Sequence, residues 1–226
     1  MIILAVDTSG RHGSVALCRG DATSFEVLGQ TSLEGGTYSA QLIPVIGDLL
    51  RTAGLDKSQI DGLAVVDGPG SFTGLRVGLS TVKALCEILQ KPLATVSMLE
   101  ALAVVYGKEG ESVKAALDAG RGEVYIGEYS VSGERASLAR QSIQKLEALL
   151  KQAPALPSRL LTTFPNLAEA WAAGPGVVTL VEALGAGAIG RIGLRKLLAG
   201  ETADPATLDA NYIRRSDAEL FSLPKH

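Results

Sequence analysis

The chain has 226 residues, 46% of them hydrophobic and 20% charged, with a formal net charge of −3. This is an ordinary globular balance with room for a core of its own. It excludes disorder along the whole chain and a broad basic face that would bind nucleic acid unaided. Cys18 and Cys86, outside any CxxC pattern, argue against a disulfide framework and fit a reducing compartment. Two histidines, His12 and His226, are too few for a multi-histidine metal site. The longest stretch without Asp, Glu, Lys or Arg, residues 35–47, is too short to span a membrane, and the first residues lack the basic start of a signal peptide. The expected setting is the cytoplasm.

Residues 2–6 are short, continuous and β-branched, as a buried strand requires, and Asp7-Thr8-Ser9-Gly10 breaks them. Strands follow at 14–18 and 25–32, spaced as an antiparallel meander. The period then changes: Leu42, Ile43, Val45, Ile46, Leu49 and Leu50 mark a helix over 38–53, ended by Gly54. Pro44 either sits early in that helix, where a lost N–H costs least, or kinks it. A strand at 62–66, a long helix at 71–90, a strand at 93–96 and a helix at 99–106 follow.

The order then restarts. A strand at 113–117 ends in Asp118, a small-Gly-Arg turn follows, and an alternating strand runs over 123–131. This repeats Val6-Asp7, the turn through Arg11 and the strand after it. A strand near 136–143, helices at 145–151 and 167–173, strands at 159–163 and 177–181 and a helix at 184–198 complete the pattern. Two α/β halves that each begin with strand, Asp, turn, strand predict an α/β protein of the actin-like ATPase (ASKHA) fold, with two ribonuclease-H-like lobes and mixed sheets. The expected division is 1–108 for the first lobe, 109–200 for a smaller second lobe, and 201–226 for a tail that packs back, with Tyr212-Ile213-Arg214 against the body.

Three stretches could carry chemistry. In such a fold Asp7 lies in the interlobe cleft, where it can hold a metal-bound nucleotide while Thr8 and Ser9 touch phosphate; a turn stabilised by its own side chains is the other reading. Residues 68–78, Gly-Pro-Gly-Ser-Phe-Thr-Gly-Leu-Arg-Val-Gly, link a strand to a helix N-terminus, which suits an anion at Gly68, Gly70 and Ser71. The stretch is neither a Walker loop nor a dinucleotide fingerprint. A tightly packed turn with Ser71 as N-cap explains it at least as well. Arg121, beside Asp118, could meet phosphate or a partner carboxylate, as could Arg76. Asp67 reads as structural and the lone Trp171 as core. No GxSxG or second internal histidine supports serine hydrolysis. The helices 39–53 and 71–90 carry apolar residues on more than one side, which predicts a partner on Leu42, Val45, Leu75, Val77, Leu79 and Val82.

Residues 3–9, the 68–78 stretch and Asp118-Ala119 through Arg121 to Glu123-Val124-Tyr125, in this order and spacing, resemble the TsaB (YeaZ) family of tRNA threonylcarbamoyladenosine biosynthesis. Asn211-Tyr212-Ile213-Arg214 is similar to that family too, and the resemblance is strongest over residues 1–130. It implies a non-catalytic paralogue of TsaD, which transfers threonylcarbamoyl to N6 of adenosine 37 of ANN-decoding tRNAs. It further implies a heterodimer with TsaD, TsaE at the junction, a homodimer when alone, tRNA contact only through the complex, and no cofactor or metal. TsaD relatives carry His-x-x-x-His after the strand that follows the long helix; Met98 and Leu102 stand at the comparable positions here. The glycine-rich adenosine loop of such folds is not evident in the second half. Many relatives have histidine where Tyr38 precedes Ser39. The competing readings are a free-standing actin-like small-molecule kinase and, from the old M22 peptidase label, a metallopeptidase.

Overall fold

A computed structural model describes residues 1–152, 159–173, 176–211 and 213. The chain order is β1 (Ile2–Asp7), β2 (His12–Gly20), β3 (Phe25–Glu34), α1 (Tyr38–Thr52), β4 (Gly62–Gly68), α2 (Phe72–Leu89), β5 (Leu93–Ser97) and α3 (Met98–Tyr106). It continues with β6 (Ser112–Gly120), β7 (Glu123–Ser132), β8 (Arg135–Lys145), α4 (Leu146–Gln152), β9 (Arg159–Thr162), α5 (Pro165–Ala172), β10 (Val178–Leu180) and α6 (Ala186–Leu198).

Two five-stranded sheets result, ordered β3-β2-β1-β4-β5 and β8-β7-β6-β9-β10. In the first, β2 runs antiparallel to both β1 and β3, while β4 is parallel to β1 and β5 to β4. The second repeats this with β7 antiparallel to β6 and β8, β9 parallel to β6, and β10 parallel to β9. The same order and the same directions in both sheets make this the duplicated ribonuclease-H-like architecture of the actin-like fold. Asp7 pairs opposite Ser14 and Asp118 opposite Val124, so Asp7 ends the central strand of its sheet and Asp118 lies two residues from the end of its own.

Local sequence explains the elements. β1 and β4 are buried almost throughout, which is why they read as continuous apolar runs. Ser71 caps α2, its Oγ accepting from the Gly74 N–H at 3.3 Å, and Gln90 ends the helix in the left-handed region. Pro44 lies inside α1 beyond its first turn. Trp171 is fully buried against the second sheet, in a cluster with Leu149 and Leu167.

α1 and α2 cover one face of the first sheet, and α4 and α5 cover one face of the second. Between the sheets lie α3 and α6, side by side, and here the contiguous lobe division needs correction. α3, from the first half of the sequence, packs mainly on β6, β7 and β8; α6, from the second half, packs on β1, β2, β4 and β5. Each lobe lends a helix across the 108/109 boundary. Gly190 allows α6 to lie close: a Cβ there would come within 2.7 Å of Cys18 Sγ. Beyond α6, the chain runs along the first sheet. The Ala203 N–H donates to Leu93 O (2.8 Å), Lys83 Nζ donates to Leu208 O (2.8 Å), and the Asn211 N–H donates to Asp67 O (2.8 Å). Ile213 packs with the core of the second lobe. Tyr212 and Arg214 lie outside the described residues. No helix among the described residues is long and apolar enough to cross a membrane.

Candidate functional site: the interlobe cleft

The turn after β1 places Asp7 almost wholly out of solvent, with 4% exposed. The Ser9 N–H and Oγ–H both donate to Asp7 Oδ1, at 2.8 and 2.7 Å, the side-chain-to-backbone turn that Asp-x-Ser favours. Burial pushes the Asp7 carboxyl above its ordinary range despite those two donors. The Thr8 hydroxyl donates to Gly74 O at 2.7 Å, and the Ser71 N–H donates to Ser9 O at 2.6 Å.

These contacts give the glycine-rich stretch a packing role. A Cβ at Gly70 would collide with Ser9 O, one at Gly74 with Thr8 O, and one at Gly78 with Thr8 Oγ1. The three glycines, four residues apart, let the start of α2 lie directly on the Asp7–Ser9 segment. This close approach is what a tightly packed turn requires, and Gly70, Ser71 and Gly74 also line the cleft. Gly68 serves the tail: it holds φ +144°, and a Cβ there would sit 2.7 Å from Asn211 O.

In front of this packed seam lies a cleft of about 1260 Å³ between the lobes. Of the residues expected there, Asp7, Ser9, Gly70 and Ser71 line it, whereas Thr8 and Gly68 do not; of the three expected to meet a partner or an anion, Asp118 lines it and Arg76 and Arg121 do not. The Arg76 guanidinium lies 3.7 Å over the Phe72 ring instead, and Arg121 occupies the β6–β7 turn at φ +55°. Sequence reasoning missed Glu34 and Leu184 in the lining. It placed Val77 on a partner surface, yet Val77 borders the cleft. Met98 and Leu102 stand in the lining too, with Leu117 and Tyr125 completing an apolar floor. Tyr38 fills the room left by Gly13, where a Cβ would come within 2.9 Å of the ring, and its hydroxyl donates to Gly10 O at 3.0 Å. Burial, with Asp7 and then Glu34 nearby, raises the Tyr38 pKa.

The charges bear on chemistry. Asp7, Glu34 and Asp118 face the cleft, and Arg11 is the sole lysine or arginine in its lining among the described residues. A polyphosphate placed here meets more carboxylate than cation. The metal-ligating positions of the resemblance carry a thioether and an alkyl group, neither of which replaces imidazole for iron or zinc.

The predicted partner surface also needs correction. Leu42, Leu75, Leu79 and Val82 are buried in the core between α1, α2 and the first sheet, and none is available to a partner. Val45 and Val77 are half-buried. The apolar residues that do face outward are Ile43 (55% exposed) and Ile88 (71%), with Phe72 at the start of α2. A helical stripe alone marks burial without saying whether the chain itself or a partner provides it.

Comparison with known proteins agrees with this architecture. The family model of TsaD, tRNA N6-adenosine threonylcarbamoyltransferase, matches residues 36–167. The tRNA threonylcarbamoyladenosine biosynthesis protein TsaB of Haemophilus influenzae is 38% identical over 129 residues, 56% of this chain and 52% of that protein. The Escherichia coli TsaB is 38% identical over 131 residues, 57% of this chain and 55% of that protein. The chain thus spans about half the length of the curated relatives it matches. The solved structure of YeaZ from Pseudomonas aeruginosa superposes with a TM-score of 0.73 at 28% identity, covering 92% of this chain and 98% of that one. A TsaD-like family match across more than half the chain, TsaB sequences as relatives and a YeaZ structure over nearly its full length agree: the chain belongs to the TsaB (YeaZ) family.

Proposed function

We propose that the chain is a non-catalytic subunit in the biosynthesis of threonylcarbamoyladenosine on tRNA, acting by pairing with TsaD and supporting its transfer to N6 of adenosine 37 of ANN-decoding tRNAs. The observation that carries this reading is the cleft floor. Met98 and Leu102 make it apolar where the catalytic paralogues are expected to hold metal through histidines. The packed glycine seam points the same way, and so does the excess of carboxylate over cation in the cleft. Both disfavour the kinase reading, which needs an open phosphate cradle; the metallopeptidase reading needs metal ligands that this floor does not offer.

Binding then falls to the surface. The outer sides of α1 and α2 expose Ile43 and Ile88, and along α2 the exposed Ala84 lies one turn before Ile88 on the same side. This is the surface we assign to TsaD and, in the isolated chain, to a second copy, with TsaE joining at the TsaD junction and tRNA meeting the complex as a whole. Ile88→Glu tests it, since the site is exposed and the substitution leaves the core intact. The variant is expected to keep its circular dichroism and melting temperature, to elute as a monomer, and to bind TsaD about tenfold or more weakly. A folded Ile88→Glu protein that still dimerises and still captures TsaD at full affinity places the interface elsewhere.

A further inference from the structure

The chain crosses between the two sheets where β5 leads into α3 and where β10 leads into α6. We propose that α6 is a strap that locks the two lobes together, so that the cleft of this chain keeps one width and the protein presents a preset surface instead of a hinged one.

α6 is bound to the first lobe along its whole length. The Ala186 N–H donates to Ser14 Oγ and the Gly187 N–H to Gln30 Oε1, both at 2.8 Å, so side chains from β2 and β3 satisfy the first N–H groups of the helix. Its glycine face lies on β1, β2 and β4. At its C-terminal half, Arg191, Arg195 and Lys196 reach the other lobe.

Glu134, in the β7–β8 turn of the second sheet, receives both arginines. Arg191 Nε donates to Oε1 at 2.8 Å, and Arg195 Nε donates to Oε2. Arg195 Nη1 also donates to Asp21 O (3.0 Å) and Ala22 O (2.8 Å) in the β2–β3 turn, so one guanidinium joins a hairpin of each lobe. Lys196 Nζ bridges Thr95 O of β5 (3.1 Å) and Glu100 Oε2 of α3 (2.8 Å), the helix that packs on the second sheet. Just beyond the helix, Arg135 of β8 pairs with Glu201 at 2.8 Å. From behind, Glu109 accepts from the Ser132 hydroxyl and the Gly133 N–H and so holds the turn that carries Glu134.

Three features set this apart from scattered surface pairs, which hold little. The Arg195, Lys196 and Glu100 side chains are each about four-fifths buried, the bonds are charge-assisted, and Arg191 and Arg195 share Glu134 while Lys196 makes a second cross-link one residue further along the helix. Geometry adds leverage. β7 starts at Glu123, at the cleft end of its sheet, and runs ten residues to Ser132. Rocking the lobes apart at the cleft therefore swings the Glu134 turn along α6 and breaks its bonds.

The test is the distance across the cleft. Spin labels are placed at Ser39→Cys, on the cleft wall of the first lobe, and Lys145→Cys, which pairs with Glu123 at the cleft end of the second sheet. The native Cys18 and Cys86 are buried. Dilution with unlabelled protein removes distances between copies. Electron–electron resonance is expected to give one narrow distribution in the otherwise unaltered chain. In Glu134→Gln, and more so in Glu134→Gln with Lys196→Met, that distribution should gain a longer component or roughly double in width. A broad or two-peaked distribution with the strap intact overturns the proposal, and so does an unchanged distribution in folded Glu134→Gln. Should the double variant fail to fold, the single change in a partly exposed turn decides the matter, together with a sodium chloride titration of the unaltered strap that should broaden the distribution in the same direction.

Discussion

Exchanging Gly74 for alanine is expected to destabilise the protein by about 2–3 kcal/mol, while the same exchange at Gly47 is expected to stabilise it by about 0.5–1 kcal/mol. Both positions are helical, so both gain the intrinsic advantage of alanine over glycine. At Gly47, on the exposed side of α1, a Cβ meets nothing within 4 Å, and the propensity gain stands alone. At Gly74 the Cβ collides with Thr8 O, a backbone atom fixed between β1 and α2. That atom cannot yield as a flexible side chain would, so α2 must lift off the seam and the Thr8 hydroxyl loses its bond to Gly74 O. Steric cost then exceeds propensity. Urea unfolding of the two variants measures this directly, and equal effects at the two sites refute the reading of residues 68–78 as a packing motif.

The second large effect is at Asp67. Its Oδ1 is buried without a hydrogen-bond partner, and burial pushes its pKa from 3.8 to about 6, with Lys196 working against the shift and Glu100 with it. The folded chain therefore holds this proton more tightly than the unfolded chain does. The stabilising share of the protonated group is complete below about pH 3.8 and is lost as pH rises through about 6. Above that, the buried carboxylate costs on the order of 2–3 kcal/mol. Asp67→Asn keeps the shape and removes the charge. It is expected to raise the unfolding free energy by about 1–2 kcal/mol at pH 8, the new amide donor taking back part of the gain, with the advantage fading toward pH 4. An advantage independent of pH would show that Asp67 does not carry the shift.

Much of the fold was legible because the chain punctuates itself. β1 and β4 are continuous apolar runs, Gly54 and Gln90 end their helices, and the strand, Asp, turn, strand unit occurs twice. The exchange of α3 and α6 between the lobes was not legible. An amphipathic stripe records that a helix is covered, not which sheet covers it, and α6 follows β10 in sequence while lying on β1, β2, β4 and β5. The same limit explains Leu42, Leu75, Leu79 and Val82. Their periodicity was correct, but the surface that covers them is the chain's own core.

At the site, Asp7, Ser9 and Asp118 were found because a strand that ends in Asp before a Gly-containing turn places carboxylates at a sheet edge. Gly70, Gly74 and Gly78 were ambiguous in sequence, because a phosphate cradle and a close helix–strand contact both call for glycine. The close contact appears only when Thr8 and Ser9 are placed against them. Glu34 and Leu184 join the cleft from distant parts of the chain and carried no local signal. The strap was invisible for a related reason: Glu134 lies far from Arg191 and Arg195 in sequence, and only the placing of the β7–β8 turn against α6 brings them together.

The most direct measurement of the central claim is formation of threonylcarbamoyladenosine on an ANN-decoding tRNA, with and without this chain. With TsaD, TsaE, ATP and a supply of threonylcarbamoyl-adenylate, adding the chain is expected to switch on modification, whereas the chain with tRNA and threonylcarbamoyl-adenylate but no TsaD is expected to give none. Modified tRNA made by this chain in the absence of TsaD, or full modification by TsaD and TsaE without it, contradicts the assignment.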